Sequence, residues 1–172
     1  SAYCMLGGMV GNNSSGTTSI RYGVTRDKVL SMDVVLSDGS PVVFKSLSQE
    51  AFIHKTKQNT LEGSLYRYFQ ETLSDKEVQQ HIVDEFPEAS IHRRNTGYAL
   101  DALLKQQPFM ESDLEFNLSK LLTGSEGTLA FTTSITLQLD SLPPPHAVIL
   151  ALHFDSIHKA MQAVVPVMKH NL

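Results

Sequence analysis

Residues 7–16 read GGMVGNNSSG and place four glycines, two asparagines and two serines within ten positions. Glycine permits positive φ and leaves no Cβ in the way of an approaching ligand. Successive backbone N–H groups in such a turn can form an anion-binding concavity, and Asn and Ser side chains add short donors and acceptors. This first glycine-rich segment therefore predicts a binding site for a phosphate or another polar part of a nucleotide. Composition alone leaves a plain surface loop equally open.

Two familiar phosphate-binding motifs do not describe this segment. A P-loop requires a lysine after its last glycine, and none follows here. A dinucleotide-binding fingerprint requires G-x-G-x-x-G between a strand and a helix, whereas Gly8-x-x-Gly11 supplies only the second half of that spacing. The segment must therefore be interpreted with the rest of the chain.

Composition limits the class of protein. The chain has 172 residues, of which 41% are hydrophobic and 19% charged, and its net charge is −4 with a pI near 5.9. The length suits one globular domain or slightly more. The acidic balance gives no basic field for nucleic acid, and the apolar runs are too short to predict a membrane span. Without a visible signal peptide, lone Cys4 fits a reducing compartment, so we expect a cytoplasmic protein, or one peripheral to a membrane.

A β-hairpin is the clearest local prediction. Apolar residues at Leu30, Met32, Val34 and Leu36 alternate with other side chains, which indicates a strand with one buried face. The following Asp-Gly within residues 37–40 is a strong hairpin turn sequence. Residues 42–44 return as the partner strand.

Helices and a further strand follow in an irregular order. Apolar spacing predicts helices over 61–73, 78–86, 98–104 and 118–122, a strand over 131–139, a strand over 147–154 and a helix after Ser156. Residues 46–60 are ambiguous. This order is not a regular βαβ alternation, so we expect an α+β fold with an antiparallel or mixed sheet flanked by helices.

Three stretches together resemble a known family. The first glycine-rich segment, the RYG at 21–23 and the run TRDKVLSMDVVLSDG at 25–39 are similar to FAD-linked oxidases and dehydrogenases of the vanillyl-alcohol-oxidase (PCMH-type) family. A further stretch, GSEGTLAF at 124–131, resembles another loop of that family and is called here the second glycine-rich segment. The resemblance covers roughly residues 1–140. Its nearest branch is that of the D-lactate, glycolate and D-2-hydroxyglutarate dehydrogenases.

The resemblance implies non-covalent FAD, because no histidine here matches a covalent attachment motif. Its contacts would be Gly8, Met9, Gly11, Asn12, Asn13, Ser14, Ser15, Gly16, Tyr22, Gly23, Glu126, Gly127, Thr128, Leu129 and Ala130. Ala130 departs from the glycine common in relatives, which leaves less room for close approach. A packing role is an equal alternative for Tyr22. For the second glycine-rich segment, the alternative is a helix end followed by a turn.

The family also implies a division of the chain. Residues 1–140 would form the second subdomain of the FAD-binding domain, and residues 141–172 a linker and the start of the substrate, or cap, domain. The chain would then be a fragment, with weak or no FAD binding and no activity by itself. Self-association through an exposed half-site is a further expectation.

A third stretch carries adjacent arginines. Arg93, Arg94 and Asn95 precede Thr-Gly-Tyr, and paired guanidinium groups suit bidentate carboxylate recognition. A similar N-T-G-Y stretch lies on the flavin side in the 2-hydroxy-acid branch, so the resemblance implies that these residues lie near the substrate. A solvated basic loop is the alternative.

The implied reaction is oxidation of a D-2-hydroxy acid to the 2-oxo acid, with hydride transfer to the flavin and later transfer to an electron acceptor. The catalytic residues are expected outside this chain. No metal site is expected, because the seven histidines and the one cysteine show no ligand spacing. Three alternatives stay open: a flavoprotein oxidase of another alcohol, a non-redox nucleotide- or anion-binding module, and a purely structural domain.

Overall fold

A computed structural model describes residues 3–88, 90–91, 97–142, 145–146 and 148–170. The chain divides into two compact units, residues 1–140 and 141–172. The first unit contains the sheet and most of the helices, and the second contains a single described helix.

The described elements have these bounds in chain order: α1 Leu6–Gly11, α2 Ser19–Tyr22, α3 Thr25–Lys28, β1 Val29–Val35, β2 Pro41–Lys45, α4 Gln49–Thr56, α5 Leu61–Ser74, α6 Lys76–Glu85, α7 Leu100–Leu104, α8 Ser119–Leu122, β3 Phe131–Leu137 and α9 Ile157–Met168. The strands form one antiparallel sheet in the order β2-β1-β3. An α+β architecture is therefore confirmed.

The β1–β2 hairpin forms as predicted, with Met32 opposite Phe44. In its turn, Gly39 has φ 84°, and the Asp38 carboxylate accepts a 2.9 Å hydrogen bond from the Ser40 backbone N–H. The hydrogen bonds from Ser40 hold the pKa of Asp38 below its usual range. This turn is thus explained by interactions among neighbouring residues.

One detail of β1 differs from the predicted alternation. Val29 is fully buried while Leu30 is exposed, and the buried face continues at Met32 and Val34. The pairing of β1 with β3 shifts between Val29 and Ser31. Such an irregularity changes which side chains face the core, so the strict period of two breaks at the start of the strand.

An aromatic cluster joins the hairpin to the helices. The Phe52 ring of α4 makes edge-on contacts with Tyr66 of α5, Phe109 and Phe116, with centroid distances of 5.7, 6.0 and 4.8 Å. Tyr66 also meets Phe44 of β2 at 6.4 Å. Burial, and secondarily the negative charge of nearby Glu62, raises the pKa of Tyr66. These contacts fix the helical layer on the buried face of the sheet.

The remaining predictions concern the ambiguous residues 46–60 and the end of the chain. The ambiguous stretch contains α4, which Ser48 caps by accepting from the Ala51 N–H. The strand expected over 147–154 is wrong for its described part, since residues 148–154 belong to no strand. α9 begins after the predicted cap Ser156, and Pro166 lies inside it.

Candidate functional site

The first glycine-rich segment is partly helical, contrary to the open turn that its composition suggests. Residues up to Gly11 belong to α1, whose end closes through a 2.8 Å bond from the Ser14 N–H to the Met9 carbonyl. Asn13 then takes φ 48° and is buried. Only residues 12–16 of this segment are irregular, although the glycines before them have low helix propensity.

The two glycine-rich segments lie against each other although they are far apart in sequence. The Gly124 N–H donates to the Val10 carbonyl at 3.0 Å, and the Glu126 N–H donates to the Gly11 carbonyl at 2.9 Å. A Cβ at Gly11 would lie 3.8 Å from the Glu126 Cα. The structure therefore brings both predicted binding segments into one place.

Arg26 fixes this junction from one side. Its backbone N–H donates to the Asn13 Oδ1 at 2.8 Å, its Nε to the Lys120 carbonyl at 2.9 Å and its Nη2 to the Thr123 carbonyl at 2.7 Å. Hydrogen bonds from a charged group are stronger than neutral ones. Arg26 thus links the first segment to the chain that leads into the second.

Lys120 strengthens the same junction in the opposite direction. Its Nζ donates to the Arg26 carbonyl at 2.9 Å and to the Val29 carbonyl at 2.7 Å. Burial lowers the pKa of Lys120, while the carboxylate of Asp27 acts against this shift. Neither Arg26 nor Lys120 is evident as a functional residue in the sequence, since each acts through backbone carbonyls that are distant in the chain.

The glycines of the second glycine-rich segment have backbone angles that other residues rarely adopt. Gly124 has φ 90°, and a Cβ there would lie 2.8 Å from the Arg26 Nη2 and 3.3 Å from the Asn13 Cβ. Gly127 has φ 76°. Glu126 between them is exposed and takes φ 54°, which is uncommon for a residue other than glycine. The segment is therefore a left-handed turn.

The first segment contains glycines that the described structure does not require. A Cβ at Gly7, Gly8 or Gly16 would meet no atom within 4 Å, and none of the three has positive φ. Gly7 and Gly8 are also exposed on a helix, where glycine is less stable than alanine by roughly 0.5–1 kcal/mol. Open space beside bare backbone fits a group that approaches the main chain closely, as the resemblance implies for FAD.

Tyr22 and Gly23 have structural explanations of their own. Tyr22 is half-buried, with the Arg21 guanidinium 5.7 Å from its ring centroid. Gly23 has φ 77°, and a Cβ there would lie 2.5 Å from the Asp27 carboxylate, which accepts from the Val24 N–H at 2.9 Å. Their presence is thus accounted for by the fold, and a role in binding stays a prediction.

The other members of the second segment have mixed surroundings. Leu129 is partly exposed, and Ala130 packs against the hydrophobic core. The Thr128 hydroxyl contacts Tyr98, a residue outside the predicted set, at 2.8 Å. The predicted substrate-proximal residues Arg93, Arg94 and Asn95 lie outside the described residues.

The described parts of the chain contain no group of three His, Cys, Asp or Glu residues that could hold a metal ion. None of the helices in those parts is both long enough and apolar enough to cross a membrane.

Comparisons with known proteins agree with the resemblance. Residues 1–45 match the family model described as an FAD binding domain. The chain is 34% identical over 157 residues to the D-2-hydroxyglutarate dehydrogenase of Escherichia coli (strain K12), which covers 91% of this chain and 14% of the relative. It is 30% identical over 167 residues to the protein of that name from Haemophilus influenzae, covering 96% of this chain and 16% of the relative.

A more distant match extends the group. The mitochondrial D-lactate dehydrogenase [cytochrome] of Arabidopsis thaliana is 24% identical over 163 residues, which is 95% of this chain and 18% of the relative. The chain thus spans less than a fifth of the length of these curated relatives. Residues 1–45 are thus similar to an FAD binding domain, and most of the chain is similar to a part of these dehydrogenases.

Proposed function

We propose that this chain supplies part of the FAD site of a dehydrogenase that oxidises a D-2-hydroxy acid to the 2-oxo acid. The unexplained glycines of the first segment carry the proposal. The fold leaves open space at Gly8 and Gly16, while Gly11 lies against the second segment. Bare backbone in such a position suits close contact with a cofactor.

In this proposal the two glycine-rich segments act together. The irregular residues 12–16 and the left-handed turn at 126–127 contact FAD, and the bonds from Gly124 to Val10 and from Glu126 to Gly11 hold them in register. Preformed backbone contacts lower the entropy lost on binding. Residues 1–140 are accordingly proposed as the FAD-binding subdomain, and residues 141–172 as the linker and the start of the substrate domain.

The chemistry follows from the cofactor class. FAD, when bound, supplies hydride acceptance at the flavin, and the protein binds and orients both partners. Within the described residues, the contribution is orientation by backbone and hydroxyl groups. We propose that the catalytic residues lie outside this chain, in the part of the relatives' length that it does not span.

We further propose that Arg93, Arg94 and Asn95 lie near the substrate carboxylate. Tyr98, three residues after Asn95, supports this proposal because its hydroxyl contacts Thr128 of the second segment. Replacing both arginines with lysine should raise the KM for the hydroxy acid, since lysine loses the bidentate geometry. Unchanged kinetic constants would contradict this role.

The central experiment is an FAD titration followed by visible spectroscopy. The full-length protein and the isolated 172-residue chain are each titrated with FAD, and D-2-hydroxyglutarate, D-lactate and their L enantiomers are then added without oxygen. We expect flavin bands at roughly 375 and 450 nm in the full-length protein, and bleaching by a D enantiomer alone.

Each result has a distinct meaning. Bound FAD that only D-2-hydroxy acids bleach supports the whole proposal. Bound FAD that other alcohols bleach would replace the substrate class with that of an alcohol oxidase. Failure of the full-length protein to bind FAD would leave a structural domain or a different ligand, and the proposed function would be wrong.

A further inference from the structure

We infer that Tyr98 is a positioning residue, which orients the second glycine-rich segment toward FAD through its hydrogen bond to Thr128. The inference rests on the proposed function, because it assigns Tyr98 a role in that same site. Tyr98 ends the N-T-G-Y stretch of the resemblance, but it is not among the residues that the resemblance implies as FAD contacts, and the family match ends at residue 45.

The geometry gives this contact a direction. The Tyr98 and Thr128 hydroxyl oxygens are 2.8 Å apart, and the Thr128 hydroxyl lies 2.6 Å from the Ser125 carbonyl. A threonine hydroxyl has only one proton, and a carbonyl can only accept, so Thr128 donates to Ser125. Tyr98 therefore donates to Thr128, and the three groups form a directed chain from Tyr98 to Ser125.

This chain of hydrogen bonds spans the left-handed turn. The Thr128 N–H also donates to the Ser125 carbonyl at 3.1 Å, so both donors of Thr128 close the turn around Glu126 and Gly127. Glu126 has φ 54° and Gly127 φ 76°. A turn of this kind persists only when surrounding contacts maintain it, and Tyr98 is the described side chain that reaches it from a distant part of the sequence.

The exposure of Tyr98 distinguishes its positioning role from packing in the hydrophobic core. Tyr98 is 44% exposed, in contrast to Tyr66, which is 1% exposed in the aromatic cluster. Removing the Tyr98 hydroxyl therefore leaves no buried cavity. Its effect should appear in the orientation of the turn and in FAD affinity, with little effect on global stability.

The test is a double-mutant cycle in the full-length protein, read as the Kd for FAD and the visible circular dichroism of bound flavin. Tyr98→Phe should raise the Kd about two- to tenfold, the value of one hydrogen bond. Thr128→Val should raise it at least as much. Tyr98→Phe added to Thr128→Val should change nothing further, because Tyr98 acts through the Thr128 hydroxyl.

Two variants serve as controls. Thr128→Ser keeps the hydroxyl and should retain most of the affinity. Tyr68→Phe removes the hydroxyl of another exposed tyrosine, on α5, and should leave the Kd unchanged. Melting temperatures of FAD-free Tyr98→Phe and Tyr68→Phe should stay close to that of the parent.

The outcomes separate the two proposals. If the parent does not bind FAD, the proposed function is wrong and the role of Tyr98 falls with it. If the parent binds FAD but Tyr98→Phe leaves both Kd and flavin dichroism unchanged, only the positioning role is wrong. Additive effects in the cycle, or a loss of affinity matched by a fall in melting temperature, would also contradict positioning through Thr128.

Discussion

The two glycine-rich segments use glycine for different reasons. In the second segment, Gly124 and Gly127 have positive φ, and Arg26 fills the space where a Gly124 side chain would lie. In the first segment, Gly7 and Gly8 lie on a helix without positive φ, and a Cβ at either would meet nothing within 4 Å outside that helix. The fold therefore explains the glycines of one segment and leaves those of the other to be explained by binding.

This difference is informative because the segments touch. The conformation of the second segment is supported by Arg26, Asn13, Tyr98 and backbone hydrogen bonds. The first presents bare backbone beside it. Replacing Gly124 or Gly127 should thus lower stability, whereas replacing Gly8 should weaken FAD binding without lowering stability.

The largest expected effect is on stability, from Gly124→Ala. The substitution forces an L residue into a left-handed conformation, at about 1–2 kcal/mol, and displaces the Arg26 guanidinium from the Thr123 carbonyl, at about 1–2 kcal/mol more. Thermal or denaturant unfolding measures the sum. Gly39→Ala is the matched control, since Gly39 has φ 84° and a Cβ there would meet nothing within 4 Å. Equal losses in both variants would show that the Arg26 contact contributes nothing.

The second effect is on binding, from Gly8→Ala. Alanine is favoured over glycine in a helix, so the melting temperature should not fall. A methyl group in the space proposed for FAD should weaken binding by roughly tenfold, as overpacking of about 1–3 kcal/mol suggests. Gly7→Ala is the control, because Gly7 has the same surroundings but lies outside the predicted contacts. Parental FAD affinity in Gly8→Ala would remove the main support for the site.

A smaller effect should distinguish conformation from contact at Gly127. Its φ of 76° disfavours alanine, whereas asparagine tolerates the left-handed region better. Gly127→Ala should therefore lower stability by about 1 kcal/mol, and Gly127→Asn by less. Melting curves of both variants measure this difference. An equal loss would mean that the backbone angle is not the reason for glycine.

The smallest expected effect is on stability, from Asp38→Ala in the hairpin turn. Interactions among neighbouring residues explain this turn, so it serves as a reference. Because the pKa of Asp38 is lowered by its bonds to Ser40, the stabilisation is present above the ordinary carboxyl pKa of about 4 and is lost as the pH falls through the lowered value. Asp38→Ala should lower the melting temperature on the order of 1 °C at pH 7. This difference should close in acid, and a constant difference would contradict the carboxylate's role.

Local patterns were sufficient where neighbouring residues determine structure. The hairpin followed from alternation and an Asp-Gly turn, and α5 and α6 from their apolar spacing, since each needs only one buried face. The start of β1 was predicted less well, because the irregular pairing with β3 buries Val29 in place of Leu30. The expected strand near the end failed because an apolar run gives no information on whether a partner strand is present.

The sequence by itself determined the α+β class, the two glycine-rich segments and the family to which they point. Only the tertiary structure decided that these segments adjoin and that half of the first segment belongs to α1. It also decided that the junction is supported by Arg26, Lys120 and Tyr98. The physical reason is that these side chains bind backbone carbonyls and a hydroxyl far away in the chain. Such partners carry no residue-type pattern, so only the folded backbone identifies them.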